Sequence, residues 1–353
     1  MRARRGRVRS GHYDRPVRKV TSADVARRAG VSRAAVSMVL NGRAAGNVSA
    51  DRQEAIRAAA RELGYVPDAA AVAMRTQRTR TLGVVTDAIV TTAYGGDVLA
   101  GAMDAAARSG YVTMVVETED DPELEQRAFE ALRRRQVDGY VFAAASMRTY
   151  SVAEEVGSTP AVLANCIDPD RSHAAWYPDD VGGGRLATEA LLVNGHTELV
   201  CLAGAEETMA TGLRVQGYQE ALARAGRRPG PVHPTGWEIA DGHRAAMALL
   251  TGPDRPTGIV CANDRVAVGV LLAATALGLR VPDDLSLVGY DDDVNVAPTL
   301  VPGLTTIGLP HREMGQRATD ALLERLAGGP LEPAQVAVEA TLVQRASVAA
   351  PPF

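Results

Sequence analysis

The chain has 353 residues, of which 46% are hydrophobic and 23% charged, enough apolar material for one large core or two smaller ones. Its apolar runs have the length of a strand, far short of the roughly 18 residues that a membrane-spanning helix needs. No apolar segment follows the basic N-terminus as it would in a secretory signal. We therefore expect a globular protein of the cytoplasm with no membrane partner.

Charge is distributed unevenly along the chain. Residues 1–80 hold 18 Lys and Arg against 6 Asp and Glu, whereas residues 81–353 hold 20 against 36. A basic segment joined to an acidic body indicates a head that binds a polyanion on a carrier that phosphates would repel. Residues 1–19 are predicted to be a disordered basic extension. An arm that adds phosphate contacts, an inert tail and a misplaced start codon all remain open for it.

The segment "VTSADVARRAGVSRAAVSMVLNG" has the pattern of a helix-turn-helix. Thr21 or Ser22 can cap a first helix, Gly30 supplies the turn, and Ser32 caps a second helix. Side chains near the start of such a second helix reach base edges in the major groove of DNA. The alternative, an ordinary helical hairpin, does not account for the basic charge. The DNA contacts predicted for this segment are Thr21, Ser32, Arg33, Ala34, Ser37, Met38 and Asn41.

A third helix is predicted to begin after Ser49 and to end at Gly64, where Ile56, Ala59 and Leu63 close a small core. These elements define a headpiece at residues 20–66.

The alanine-rich stretch "DAAAVAMRTQRTRT" follows Pro67 and is predicted to be a hinge over residues 67–80. So short a helix is marginal in water, and we expect it to form only when packed on a partner copy and on DNA. Its predicted DNA contacts are Met74 and Arg75. A plain interdomain linker is the alternative.

The body, residues 81–353, alternates strand-like and helical runs. Strand-like examples are "YVTMVV", "DGYVFAAA", "PAVLAN", "GIVCAND" and "LSLVGYDDD". Such alternation predicts an α/β fold built of parallel βαβ units with helices on both faces, and there are enough strands for two sheets.

Motifs in both the headpiece and the body resemble those of a known family. The pattern "ADVARRAGVS…VS.VLNG…VS…I.AAA.ELGY.P" is similar in order and spacing to the headpiece and hinge of LacI/GalR bacterial transcriptional repressors. The body resembles the same family's two-lobed periplasmic-binding-protein-like core in "RRRQVDGYVF", "VCANDRVAVG" and "GLRVPDDLSLVGYDD". The resemblance implies a homodimer that binds a pseudo-palindromic operator in double-stranded DNA and senses a small-molecule effector.

The resemblance also implies where the effector binds. In open α/β sheets, ligands bind outside the carboxyl ends of the strands, and the family motifs place contacts there. Each of these residues also has a structural interpretation. Arg214 and Asp291 could form an ion pair across the lobes, Asn263 could cap a helix, and Trp237 could belong to the core. A carbohydrate is the favoured effector, and a nucleobase or nucleoside is the alternative. The predicted effector contacts are Arg214, Trp237, Asn263 and Asp291, with weaker matches at Asn165 and Tyr94.

Two positions depart from the family pattern and leave the operator sequence open. Met74 stands where a leucine usually wedges into the minor groove, and methionine is apolar but more flexible. Met38 stands where Arg or His is common, so Arg33 alone on this helix can make a bidentate contact to guanine.

An enzyme and a solute-binding receptor are the alternatives of other classes. The three cysteines, Cys166, Cys201 and Cys261, are too dispersed for a zinc cluster. No nucleotide loop or nucleophile elbow is present, so we expect no metal, no cofactor and no catalysis. A solute receptor would lack the basic head.

Overall fold

The structure is a computed structural model that describes residues 20–88, 95–152 and 154–352. The chain divides into two compact units, Met1–Thr79 and Arg80–Phe353. The predicted fold class is confirmed: the first unit is helical, and the second is α/β with two sheets.

Over residues 20–79 the first unit has four helices, and the first three begin at the predicted caps. Gly30 ends the first helix in the left-handed region at φ 65°, and the Ser32 hydroxyl accepts a hydrogen bond from the amide of Ala35 at 3.2 Å to start the second. Val25, Val36 and Ile56 are fully or almost fully buried and form the centre of a small core. The helices are α1 (Ser22–Ala29), α2 (Arg33–Leu40), α3 (Ala50–Leu63) and α4 (Ala69–Thr76).

Helix α4 corresponds to the predicted hinge and is capped at both ends. The Asp68 carboxylate accepts a hydrogen bond from the amide of Ala70 at 3.0 Å, and Gln77 ends the helix in the left-handed region. A helix of eight residues has few internal hydrogen bonds and is marginal in water on its own. That α4 is unfolded in the absence of DNA stays a prediction.

The second unit consists of two lobes, each built around one six-stranded sheet. The first sheet has the order β11-β5-β4-β3-β1-β2, and the second has the order β12-β10-β9-β8-β6-β7. Every neighbouring pair is parallel except β10 and β12, which are antiparallel. The predicted parallel sheets are therefore present, with one antiparallel edge strand that the alternation of elements did not indicate.

The first lobe carries helices α5, α6 and α11 around its sheet. Its elements are β1 (Thr81–Thr86), α5 (Gly95–Arg108), β2 (Val112–Glu117), α6 (Pro122–Arg134), β3 (Gly139–Thr149), a short 3₁₀ helix (Glu154–Val156), β4 (Ala161–Ile167), β5 (Ala174–Pro178), α11 (His311–Leu326) and β11 (Gln335–Val338).

The second lobe carries helices α7 to α10. Its elements are α7 (Asp180–Leu192), β6 (Leu199–Ala203), α8 (Met209–Arg224), β7 (Val232–Pro234), α9 (Ile239–Leu250), β8 (Gly258–Cys261), α10 (Asp264–Ala276), β9 (Ser286–Asp291), β10 (Thr305–Gly308) and β12 (Thr341–Val343). The chain passes between the lobes after β5, after β10 and after β11.

Glycines set the closest helix packing in both lobes. A Cβ on Gly184 of α7 would lie 2.2 Å from the carbonyl oxygen of Arg214 in α8, and one on Gly217 of α8 would lie 2.1 Å from that of Val181 in α7. The pairs α5 with α11 and α9 with α10 show the same reciprocal arrangement, at Gly101 and Gly315 and at Gly242 and Gly269. Backbones this close leave no room to slide, so the packing fixes where α8 presents its side chains.

Candidate functional site

The exposed face of α2 presents the side chains predicted to contact DNA. Arg33, Ala34 and Ser37 are exposed, and Met38 is half-buried. Among the residues that the structure describes, Arg33 has no hydrogen-bond or ion-pair partner, so its guanidinium is available to a ligand. Ser32 is engaged as the cap of α2, at the positive end of the helix.

The remaining predicted contacts in the first unit surround α2 and α4. The Thr21 hydroxyl donates to the Asp24 carboxylate at 2.7 Å. The Asn41 amide oxygen accepts from Arg75 at 2.9 Å, which ties α4 to the end of α2. The Met74 side chain is 83% exposed, so its apolar surface has no cover within the described part of this unit.

A cavity of about 470 Å³ opens at the carboxyl ends of the strands of the second unit, within the range of small-molecule sites. Asn165 lies near the end of β4, Asp291 ends β9, and Asn263 follows β8. Five of the predicted effector residues line this cavity together, and the sixth, Tyr94, lies outside the described residues. The cavity is lined by Ala145, Ser146, Met147, Asn165, Pro178, Asp180, Arg214, Trp237, Glu238, Asn263, Arg265, Asp291, Leu309 and His311.

Arg214 of α8 is the most constrained charge in this cavity. Its Nε donates to Asp180 Oδ1 at 2.8 Å, and its Nη1 donates to the carbonyl of Ala262 at 2.7 Å. The guanidinium carbon lies 3.8 Å from the ring centroid of Tyr290 and 5.7 Å from that of Trp237. These contacts fix the guanidinium plane, and Nη2 lies 3.9 Å from Asp291 Oδ1.

Asp180 was not among the predicted site residues, although it lines the cavity and holds Arg214. It is the first residue of α7, its side chain is fully buried, and its Oδ1 also accepts from the Tyr290 hydroxyl at 3.1 Å. Oδ2 has no hydrogen-bond partner within the described chain. A buried carboxylate oxygen without a donor is costly; Oδ2 is itself buried and does not reach the surface of the cavity. The signal was available, because Asp180 follows β5 as the other site residues follow their strands.

Asp291 stands opposite Arg214 with a strained backbone. Its φ of 107° lies in the left-handed region, a conformation that non-glycine residues adopt at a cost of about 1–3 kcal/mol and often at functional sites. Burial raises the pKa of its carboxyl well above the usual range, although Arg214 opposes the shift. The loop after β9 is attached to α10, because Oδ2 of Asp264, the first residue of α10, accepts a hydrogen bond from the amide of Asp293 at 2.8 Å.

Asn263 and Trp237 divide between the functional and the structural interpretation. Asn263 Oδ1 accepts from the amide of Val266 at 2.8 Å as the cap of α10, and its Nδ2 donates to the carbonyl of Trp237 at 3.1 Å. The capping alternative is therefore confirmed for Asn263. Its side chain lines the cavity, but both its oxygen and its nitrogen already form hydrogen bonds within the protein. Trp237 is half-buried and presents part of its ring to the cavity.

The first lobe supplies the opposite wall. The register of β3 against β4 shifts between Ala143 and Arg148, and Ala145, Ser146 and Met147 enter the cavity from this irregular stretch. A bulge of this kind redirects side chains out of the sheet. His311, at the start of α11, adds a ring from the crossing segment.

The lobe assignment corrects one expectation. Arg214 and Asp291 were considered as an ion pair across the lobes, but both belong to the second lobe, because α8 and β9 are built on the same sheet. Trp237 and Asn263 belong to that lobe as well. Among the described residues, the first lobe lines the cavity with Asn165, Pro178, His311 and the bulged stretch Ala145, Ser146 and Met147.

Two features of the described residues bear on other functions. No helix there has the length and hydropathy to cross a membrane. Across residues 20–88, 95–152 and 154–352, no three His, Cys, Asp or Glu side chains are grouped so as to hold a metal ion.

Comparison with family models gives two matches. Residues 21–68 match the model of bacterial regulatory proteins of the lacI family, and residues 188–348 match that of a periplasmic binding protein-like domain. The first contains α1 to α3, and the second contains most of the lobe that holds Arg214.

Individual relatives match over almost the whole chain. The ribose operon repressor of Escherichia coli (strain K12) is 32% identical over 93% of this chain and 99% of its own length. The crystal structure of the lac repressor dimer bound to operator and the anti-inducer ONPF is 29% identical, with a TM-score of 0.77 over 94% of this chain and all of the other. The complex of the transcriptional regulator CelR with cellobiose is 28% identical, with a TM-score of 0.65 over 93% of this chain and all of the other. The chain therefore belongs to the lacI family of bacterial regulatory proteins, as a DNA-binding transcriptional repressor.

Proposed function

We propose that this repressor senses a carbohydrate in the cavity between its lobes and that the carbohydrate changes its affinity for operator DNA. The observation that carries the proposal is the constrained Arg214 guanidinium between Asp180 and Asp291, with the Trp237 ring beside it. It acts where operator DNA is found, in the bacterial cytoplasm, and has no catalytic role.

The arrangement suits a sugar because it offers both hydrogen-bond signs and an apolar face. Arg214 Nη2 can donate to a hydroxyl oxygen, and the carboxyl group of Asp291 can accept from a hydroxyl hydrogen. Met147, Leu309 and Trp237 give the apolar surface that the C–H face of a sugar ring packs against.

DNA recognition follows from the first unit. We assign base contact to Arg33 and its exposed neighbours Ala34 and Ser37, with Met38, Thr21, Ser32 and Asn41 positioning α2, and minor-groove contact to Met74 and Arg75. A two-fold dimer then reads two half-sites. A ligand that contacts both lobes favours one lobe arrangement, and it can change DNA affinity only by that preference.

The test is an operator titration of the full chain with and without sugars, using D-ribose, sucrose and cellobiose as probes. We expect one of them to shift the operator dissociation constant by roughly 5- to 150-fold, the usual size of such a coupling. Asp291→Asn keeps the side-chain shape and is expected to remove the shift while operator affinity without sugar stays as in the wild type. A variant that still responds fully would take Asp291 out of the site.

A nucleobase is the second candidate, favoured by the half-buried Trp237 ring on which a planar base can stack. Hypoxanthine and adenosine therefore belong in the same titration. A response to them and to no sugar would replace the carbohydrate with this alternative.

A further inference from the structure

We infer that the cavity selects a neutral polyhydroxyl ligand and rejects the phosphorylated or carboxylated form of the same sugar. The inference rests on the proposed function and narrows it. It is based on the ion pairs and hydrogen bonds of the charged side chains that line the described part of the cavity.

Both arginines in the lining already have carboxylate partners. Arg214 is paired with Asp180 at 2.8 Å and faces Asp291 at 3.9 Å. Arg265 of α10 forms an ion pair with Glu238, the residue before α9. Among the described residues, three carboxylates therefore face two guanidiniums in the lining, so this part of the wall has no uncompensated positive charge for an anion.

Helix N-termini are the other usual anion sites, and three of them in the second lobe are occupied by side chains of the chain itself, whereas α11 begins at His311 without a side-chain cap. The Asp179 carboxylate accepts from the amide of Gly182 at 2.8 Å at the start of α7. Glu238 and Asp241 form a capping box at the start of α9. Asn263 caps α10, and Asp264 occupies its first turn. These oxygens stand where a phosphate would bind a helix start.

The remaining ionisable groups do not reverse this balance. Burial and the positive charge of Arg214 lower the pKa of His311 to about 4, so its ring is neutral at pH 7. The raised pKa of Asp291 brings the charge of the lining at most to zero if that carboxyl is protonated. The only lysine of the chain is Lys19, far from this unit in sequence.

A phosphate entering the cavity would lose its water and meet carboxylates without a free cation, which costs several kcal/mol. A hydroxyl group meets the opposite situation, because it can donate its hydrogen to the carboxyl groups of Glu238 and Asp291 in the lining. The same cavity therefore favours hydroxyl hydrogens and disfavours anionic oxygens.

The test uses the fluorescence of Trp237 in the full chain. The sequence has two tryptophans, and Trp176→Phe leaves Trp237 in the cavity wall as the only one. The probes are D-ribose, D-ribose 5-phosphate, D-glucose, D-glucose 6-phosphate, cellobiose and inorganic phosphate. We expect a neutral sugar to change the emission, its phosphate ester to bind at least about tenfold more weakly, and inorganic phosphate to leave the emission unchanged.

Glu238→Gln keeps the shape of the capping side chain and removes the negative charge that compensates Arg265. It should move the ratio of ester to neutral sugar affinity toward the ester and allow inorganic phosphate to bind. The matched control is Glu313→Gln, which alters a similar exposed pair with Arg317 outside the cavity and should change neither.

The outcomes separate the two proposals. An ester that binds as tightly as its sugar, or inorganic phosphate that changes Trp237 emission in the Glu238-containing chain, overturns the inference and leaves a carbohydrate sensor standing. A panel in which no sugar binds in either form overturns the proposed carbohydrate, and the inference falls with it.

Discussion

Substituting one glycine of α8 tests whether helix packing positions the site. In Gly217→Ala the new Cβ would lie 2.1 Å from the Val181 carbonyl oxygen, whereas ordinary contact begins at 3.4 Å. Helix α8 must therefore retreat from α7 by more than about 1 Å. Gly212→Ala is the control in the same helix, because its Cβ meets no atom within 4 Å.

The two variants share the gain in helix propensity, about 1 kcal/mol relative to glycine, so their difference isolates the close contact. Overpacking costs about 1–3 kcal/mol. We expect the unfolding free energy of Gly217→Ala to be lower than that of Gly212→Ala by about 1–3 kcal/mol. The unfolding free energy of Gly212→Ala should equal or exceed that of the wild type.

The assay is urea unfolding of the full chain followed by tryptophan emission. Both tryptophans, Trp176 and Trp237, lie in the second unit, so the head does not contribute to the signal. Retreat of α8 also moves Arg214 away from Asp180, and sugar affinity should fall in Gly217→Ala alone. Equal unfolding free energies and equal affinities for the two variants would show that the close approach of α7 and α8 is not needed.

Three further predictions concern the head, the hinge and pH. Arg33→Ala should weaken operator binding by ~1–3 kcal/mol and random-duplex binding hardly at all, measured by fluorescence anisotropy at one salt concentration; equal losses on both duplexes would reduce Arg33 to a phosphate contact. Met74→Ala should weaken operator binding without lowering the unfolding free energy, since the side chain is 83% exposed, and amide exchange over residues 69–76 should slow only when operator is bound; protection without DNA would contradict the hinge model. Burial raises the pKa of Asp264 to about 7, above its unfolded value of ~3.9. The folded state therefore holds this proton more tightly, and the unfolding free energy should fall as pH rises from about 4 to about 7. Asp264→Asn removes that part of the fall, and identical pH profiles for the two proteins would refute the assignment.

Local signals predicted much of the head and the strand ends. Gly30 and Ser32 mark the turn because a left-handed residue and a hydroxyl cap are needed there whatever surrounds them. The family resemblance identified Arg214, Asp291 and Asn263. Asp291 and Asn263 lie at strand ends, which meet at one edge of a parallel sheet, whereas Arg214 lies within α8.

Contacts between distant segments could not be read in this way. Helix packing joins residues 26 to 34 positions apart in three contacts of the site. These are the hydrogen bond of Asn263 to Trp237, the ion pair of Arg265 with Glu238 and the ion pair of Arg214 with Asp180. The antiparallel position of β12 likewise depends on a chain crossing rather than on a local pattern.

The three crossings between the lobes determine the order in which the protein is completed during synthesis. The head, which ends at Thr79, emerges from the ribosome first. The first lobe receives its opening strands early, but α11 and β11 reach it only after nearly the whole second lobe has been made. Domains fold as units during translation, so the lobe begun first is among the last parts to be finished. A nonsense codon after β10 therefore leaves the whole head and most of the second lobe but removes α11 and β11 from the first lobe and β12 from the second.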